Sequence, residues 1–110
     1  REENITTEAY LSHIFSHFKK NQDHVTSLLF SKNDYFLRQL QKELEHHVYP
    51  MVAEDLQVAY PSIPASYLKH FVVTNFIETL TWWLKKGKSY KEEQVVRFYL
   101  DVMEMNSKKL

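Results

Sequence analysis

Residues 64–96 read PASYLKHFVVTNFIETLTWWLKKGKSYKEEQVV, and the fold turns on how this stretch is parsed. It reads as a long apolar helix, a glycine stop and a newly capped second helix. In the first helix Val73, Phe76, Ile77, Leu80 and Leu84 form one stripe, which Leu68, Phe71, Val72, Trp82 and Trp83 widen. A helix apolar around so much of its circumference needs partners on more than one side. In a chain this small, one of those partners is expected to be a second copy. Lys85 and Lys86 suit a last turn, and Gly87 suits the left-handed residue that follows it. Ser89-Tyr90-Lys91-Glu92 has the form of a capping box. The second helix carries Val95, Val96, Tyr99, Leu100, Val102 and Met103.

A short connection makes the two helices an antiparallel hairpin, and two hairpins from two chains can close a four-helix interface. The expected interface is Ile77, Leu80, Trp83, Leu84, Val95, Val96, Tyr99, Val102 and Met103. The competing reading packs both faces inside one chain.

Working outward, Thr6 or Thr7 can cap a first helix, with Ile5 placed to staple against Tyr10. Tyr10, Leu11, Ile14, Phe15 and Phe18 recur at helical spacing, and Asp23 can cap a short continuation with Val25, Leu28 and Leu29. Ser31-Lys32-Asn33-Asp34 is a loop with two good capping residues. One apolar face then runs from Phe36 through Leu40, Leu44, Val48 and Val52 to Leu56. Pro50 lies inside it, which predicts a kink or break near residues 46–49. Tyr60-Pro61-Ser62-Ile63-Pro64 is a loop leading into the long helix. The sum is an all-α bundle of about five helices in one domain spanning residues 1–110.

Composition supports this. Gly87 is the one glycine among 110 residues, too few for the turns and bulges of a β-rich domain. Fourteen basic and fourteen acidic residues leave no net charge, so the chain is not built to neutralise a phosphate backbone. The absence of cysteine excludes disulfides and thiolate metal sites, and is compatible with the expected cytoplasmic location. No apolar run reaches the roughly 20 residues that span a bilayer, so no membrane partner is expected. The chain opens at Arg1 without an initiating Met and is expected to be a fragment.

The order of Pro64-x-x-Tyr67, Phe71, Trp82-Trp83-Leu84, Gly87 and Ser89-Tyr90-Lys91-Glu92-Glu93 resembles the C-terminal region of TetR-type transcriptional regulators of bacteria. Leu11-x-x-Ile14-Phe15, Lys20-Asn21-Gln22-Asp23 and Phe36-Leu37-x-x-Leu40 resemble the helices that precede it in that family. The resemblance covers nearly the whole chain and is greatest to the subgroup that includes regulators of dihydroxyacetone kinase operons. It implies a homodimer joined by the last two helices, a small-molecule effector of unknown identity, and operator DNA bound only through an N-terminal helix-turn-helix domain. That domain is missing from this chain: residues 1–8 hold no recognition helix. A protein coactivator is a further partner implied by the subgroup. The alternative, from another class, is a helical protein–protein adaptor that takes no small molecule.

Candidate ligand-binding residues are Phe15, Phe18, Phe36, Tyr49 and Phe71, with Asn75 and Thr79 as the polar groups that interrupt the apolar helix. A few polar groups set in aromatic walls describe a small-molecule site. Ordinary core is the competing reading for each aromatic residue, and an amide bonded across an interface is the competing reading for Asn75.

His13 and His17 stand one helical turn apart, and Glu43 and His46 match the Glu-x-x-His spacing of bundle metal sites once only, so no metal is expected. No cofactor is expected either. The chain is not expected to be an enzyme: no cysteine is available, the serines sit in caps or loops, and one glycine cannot build a phosphate cradle. The Lys85-Lys86-Gly87-Lys88 cluster is read as charge complementing a helix C-terminus rather than as an anion site.

Overall fold

The structure, a computed structural model, describes residues 6–31, 33–87 and 89–109, with side-chain surroundings through Met103. Six helices and no strand lie among the described residues: α1 (Thr7–Lys20), α2 (Gln22–Phe30), α3 (Asp34–His47), α4 (Tyr49–Ala59), α5 (Ala65–Lys85) and α6 (Glu92–Lys109). The chain is therefore all-helical, as its composition and periodicity predict.

Local chemistry sets the boundaries. Thr6 Oγ1 accepts from the Ala9 N–H at 3.0 Å and caps α1. The staple expected from Ile5 lies outside the described residues. Asn21 separates α1 from α2, its side-chain amide donating to the His17 carbonyl at 3.1 Å. Asn33 caps α3 by accepting from the Phe36 N–H at 2.9 Å. The continuous helix from Phe36 to Leu56 breaks at Val48, and Pro50 enters the first turn of α4, where its missing N–H removes no helical bond. That break, with the separate α2, gives six helices rather than about five.

Two expectations at the hairpin are corrected. Gly87 is not in the left-handed region; its requirement is space. A Cβ there would lie 2.6 Å from Trp82 Cζ3 and 2.8 Å from Cη2, so the ring packs where a side chain would stand. The expected capping box at Ser89–Glu92 is displaced. Helix α6 starts at Glu92, and it is Gln94 Oε1 that reaches back to accept from the Lys91 N–H at 2.8 Å. The Glu92 carboxylate is engaged elsewhere, accepting from Ser16 Oγ at 2.6 Å.

Helix α5 is the axis of the bundle, packed against α2, α3, α4 and α6, while α1 lies along α6. Phe15 meets Phe76 edge-on at 5.1 Å and Trp83 at 5.4 Å, and Phe76 meets Tyr99 edge-on at 5.7 Å. Buried polar atoms on these rings have partners: Trp83 Nε1 donates to the Tyr90 carbonyl at 3.0 Å, and the Tyr99 hydroxyl donates to the Val72 carbonyl at 2.6 Å. Two polar ties, Ser16 to Glu92 and Arg97 to Glu8, run along the seam between α1 and α6.

This packing takes up most of the residues expected at a dimer interface. Leu80, Trp83, Leu84, Val95 and Val96 are buried within their own chain, and so are Tyr99 and Met103. Helices α2, α3, α4 and α6 pack against α5 and cover much of its apolar circumference, leaving the side that carries Trp82 open. Val102 alone of the nine expected residues is openly exposed, and Ile77 is half-buried against the core. Among the described residues no helix is long and apolar enough to cross a membrane.

Candidate functional site

Among the clefts formed by the described residues, two largely apolar ones share no lining residue. The first lies along the outside of the α5–α6 hairpin, about 370 Å³ in volume. Phe71, Asn75, Glu78, Thr79 and Trp82 supply the α5 wall at helical spacing, and Phe98 and Val102 supply the α6 wall. Tyr99 and Met103 form its floor. Trp82 and Phe98 are each 41% exposed and Val102 is 71% exposed, high values for side chains of this size and polarity. Their rings are ordered by contact: Trp82 stacks with Tyr90 at 5.9 Å, and Tyr90 meets Phe98 edge-on at 5.1 Å. The polar groups of the α5 wall turn back on their own helix. Asn75 Nδ2 donates to the Phe71 carbonyl at 2.8 Å and Thr79 Oγ1 donates to the Asn75 carbonyl at 2.6 Å. The cleft therefore presents an apolar, aromatic surface with Glu78 as its charged group.

The second cleft lies between α1 and α3, about 460 Å³ in volume. Its apolar surface comes from Ile14, Leu40, Leu44 and Val48, and three rings, Tyr10, Phe18 and Phe36, stand around it. His17, Gln39, Glu43 and His47 complete the lining, with His47 Nε2 3.3 Å from Glu43 Oε1. Both cleft-forming helices owe this arrangement to amphipathic periodicity: residues 10, 14, 17 and 18 share one face of α1, and 36, 40, 43, 44 and 47 share one face of α3.

The seven expected ligand residues are not gathered into one pocket. Phe18 and Phe36 meet in the α1–α3 cleft. Phe71, Asn75 and Thr79 line the hairpin cleft. Phe15 is fully buried between Phe76 and Trp83, and its place is the core. Tyr49 stands at the start of α4, its hydroxyl 3.5 Å from the Ala65 carbonyl. Trp82, Glu78 and Phe98 line the hairpin cleft and are not among the residues expected at an interface; Phe98 and Val102 stand four residues apart outside the buried stripe of α6.

Two ionisable groups are perturbed by their packing. The hydrogen bond from Ser16, aided by a backbone N–H and by the charges of Lys19 and Lys91, holds the Glu92 carboxyl below its ordinary value against a smaller opposing effect of burial. Burial pushes the Tyr99 phenol well above its ordinary value, so it remains a neutral donor. His13 and His17 are exposed, and no group of three metal-ligating side chains is assembled among the described residues.

A family model described as a transcriptional regulator C-terminal region matches residues 6–105. In a crystal structure of a TetR transcriptional regulator from Streptococcus agalactiae 2603V, the similar region is 41% identical and superposes with a TM-score of 0.73. The match covers 91% of this chain and 56% of that regulator, so the chain spans little more than half of its length. No curated protein matches.

Proposed function

The chain belongs to the TetR family of transcriptional regulators, in the C-terminal region its members carry, and we propose that it is the domain that joins two copies and senses an effector. The observation that carries this reading is the separation of the two clefts. The hairpin cleft has the aromatic, apolar character of an interface core. The α1–α3 cleft has the apolar walls and few polar groups of a small-molecule site. In this reading two copies meet through α5 and α6, hairpin cleft to hairpin cleft, around Trp82, Phe98 and Val102.

The effector enters between α1 and α3 and favours one placement of α1. Because α1 lies along α6, tied by Ser16 to Glu92 and by Glu8 to Arg97, that placement is felt at the dimer helices. In the intact regulator it resets the spacing of two DNA-binding heads and hence operator affinity. The response is as large as the effector's preference for one arrangement over the other. The chain acts by binding and not by catalysis.

A second reading is favoured by one observation. Phe15, Phe76 and Trp83 pack ring against ring in the interior, and the α1–α3 cleft is a surface groove rather than an enclosed chamber. A groove also suits a segment of a protein coactivator. Operator-binding assays on the intact regulator test the proposal. Phe98→Glu combined with Val102→Glu is expected to abolish operator binding, while Gln39→Trp, which fills the groove from an exposed position, is expected to retain it and lose the effector response. Full operator binding by the double variant would overturn the dimer assignment.

A further inference from the structure

We propose that the ligand of the α1–α3 cleft is a small organic cation, an apolar or aromatic body of modest size ending in a protonated amine. This rests on the cleft being the effector site and adds the chemistry of what it takes. Glu43 is the one carboxylate among the lining residues, and no lysine or arginine lines the cleft. The titratable neighbours that face it are His17 and Tyr10 from α1 and His47 from α3. His47 Nε2 lies 3.3 Å from Glu43 Oε1 with both side chains largely exposed, so the contact gains little and leaves the carboxylate open to a ligand.

Tyr10, Phe18 and Phe36 line the cleft, and an aromatic ring attracts a cation seated over its face. Ile14, Leu40 and Leu44 provide the apolar floor for the rest of such a molecule. A carboxylate of the same shape meets the opposite situation. Glu43 repels it, and no lysine or arginine lines the cleft to receive it.

Three probes of one skeleton separate these cases: phenylbutylamine, phenylbutanol and phenylbutyrate, titrated calorimetrically into the chain at neutral pH. The amine is expected to bind roughly fivefold to tenfold more tightly than the alcohol, and the carboxylate more weakly than either. Glu43→Gln, a change at an exposed position, is expected to remove the preference for the amine while leaving the alcohol unchanged. Gln39→Trp is expected to weaken all three. Equal affinity for the three probes, or a preference for the carboxylate, overturns the cationic ligand while leaving the cleft as a binding site. Binding of none of them, or binding that Gln39→Trp leaves untouched, overturns both.

Discussion

Trp82 and Trp83 are neighbours in sequence and opposites in setting. Trp83 is 1% exposed, pressed against Phe15 with its indole N–H satisfied by the Tyr90 carbonyl. Trp82 is 41% exposed, stacked on Tyr90 at the edge of an open cleft. A hundred degrees of helix rotation separates the inner face of α5, which holds the domain together, from the outer face, which is left for something else. Apolar residues on a helix say that partners exist; only the surrounding helices say which face has already found them.

The largest expected contrast between the faces is in stability. Trp83→Ala should destabilise the fold by about 3–5 kcal/mol, the range for emptying a buried aromatic site. Trp82→Ala should cost the fold well under half of that and act mainly on association. Chemical denaturation of both variants at low protein concentration checks this, and equal losses would erase the distinction between the faces.

Gly87→Ala comes next, at about 1–3 kcal/mol, because the new Cβ falls within 2.6 Å of the Trp82 ring and the ring or the turn must move. Trp82 fluorescence should change in this variant, since an open ring can swing further out. An unchanged spectrum and stability would mean that the close packing of Trp82 on Gly87 is not maintained.

The Tyr99 hydroxyl sharpens the inner side of the comparison. Its pKa is raised in the fold, so its contribution is complete below the ordinary tyrosine value of about 10 and is lost as pH climbs from there towards the folded value. Tyr99→Phe should cost about 0.5–1.5 kcal/mol at neutral pH and make the alkaline decline of stability shallower. A pH series of denaturation midpoints measures both.

Ser16→Ala should have the smallest effect, below about 1 kcal/mol, because Glu92 is only partly covered. Glu92 has a lowered pKa, so its stabilising contribution is present above the ordinary carboxylate range and disappears as pH falls through the folded value. The variant should therefore be less sensitive to acid than the parent, and equal acid sensitivity would show that Ser16 does not hold the carboxylate.

The parts of the fold legible in the sequence were those governed by neighbours along the chain. Thr6 and Asn33 cap where their side chains predict, and the break ahead of Pro50 follows from a missing backbone donor. Assignments that depend on distant residues fared differently. Gly87 looked like a left-handed stop because glycine commonly is one, but its reason lies in the Trp82 ring above it. Ser89 and Glu92 had capping-box spacing, yet Ser16, far away in the sequence, claims the carboxylate. Asn75 and Thr79 do stand among aromatic side chains, as their pattern suggested, but on the outer face of the hairpin and not beside Phe18 and Phe36. Periodicity gives a residue's place on its own helix, and the identity of the facing helix comes only from assembly.

The reading of the outer face as a meeting place for two copies is tested most directly by sedimentation equilibrium of this chain and of its Phe98→Glu, Val102→Glu variant. The account predicts a mass of two chains for the parent and of one chain for the variant, with the same helical circular dichroism in both. A parent that stays a single folded subunit at high concentration would contradict it.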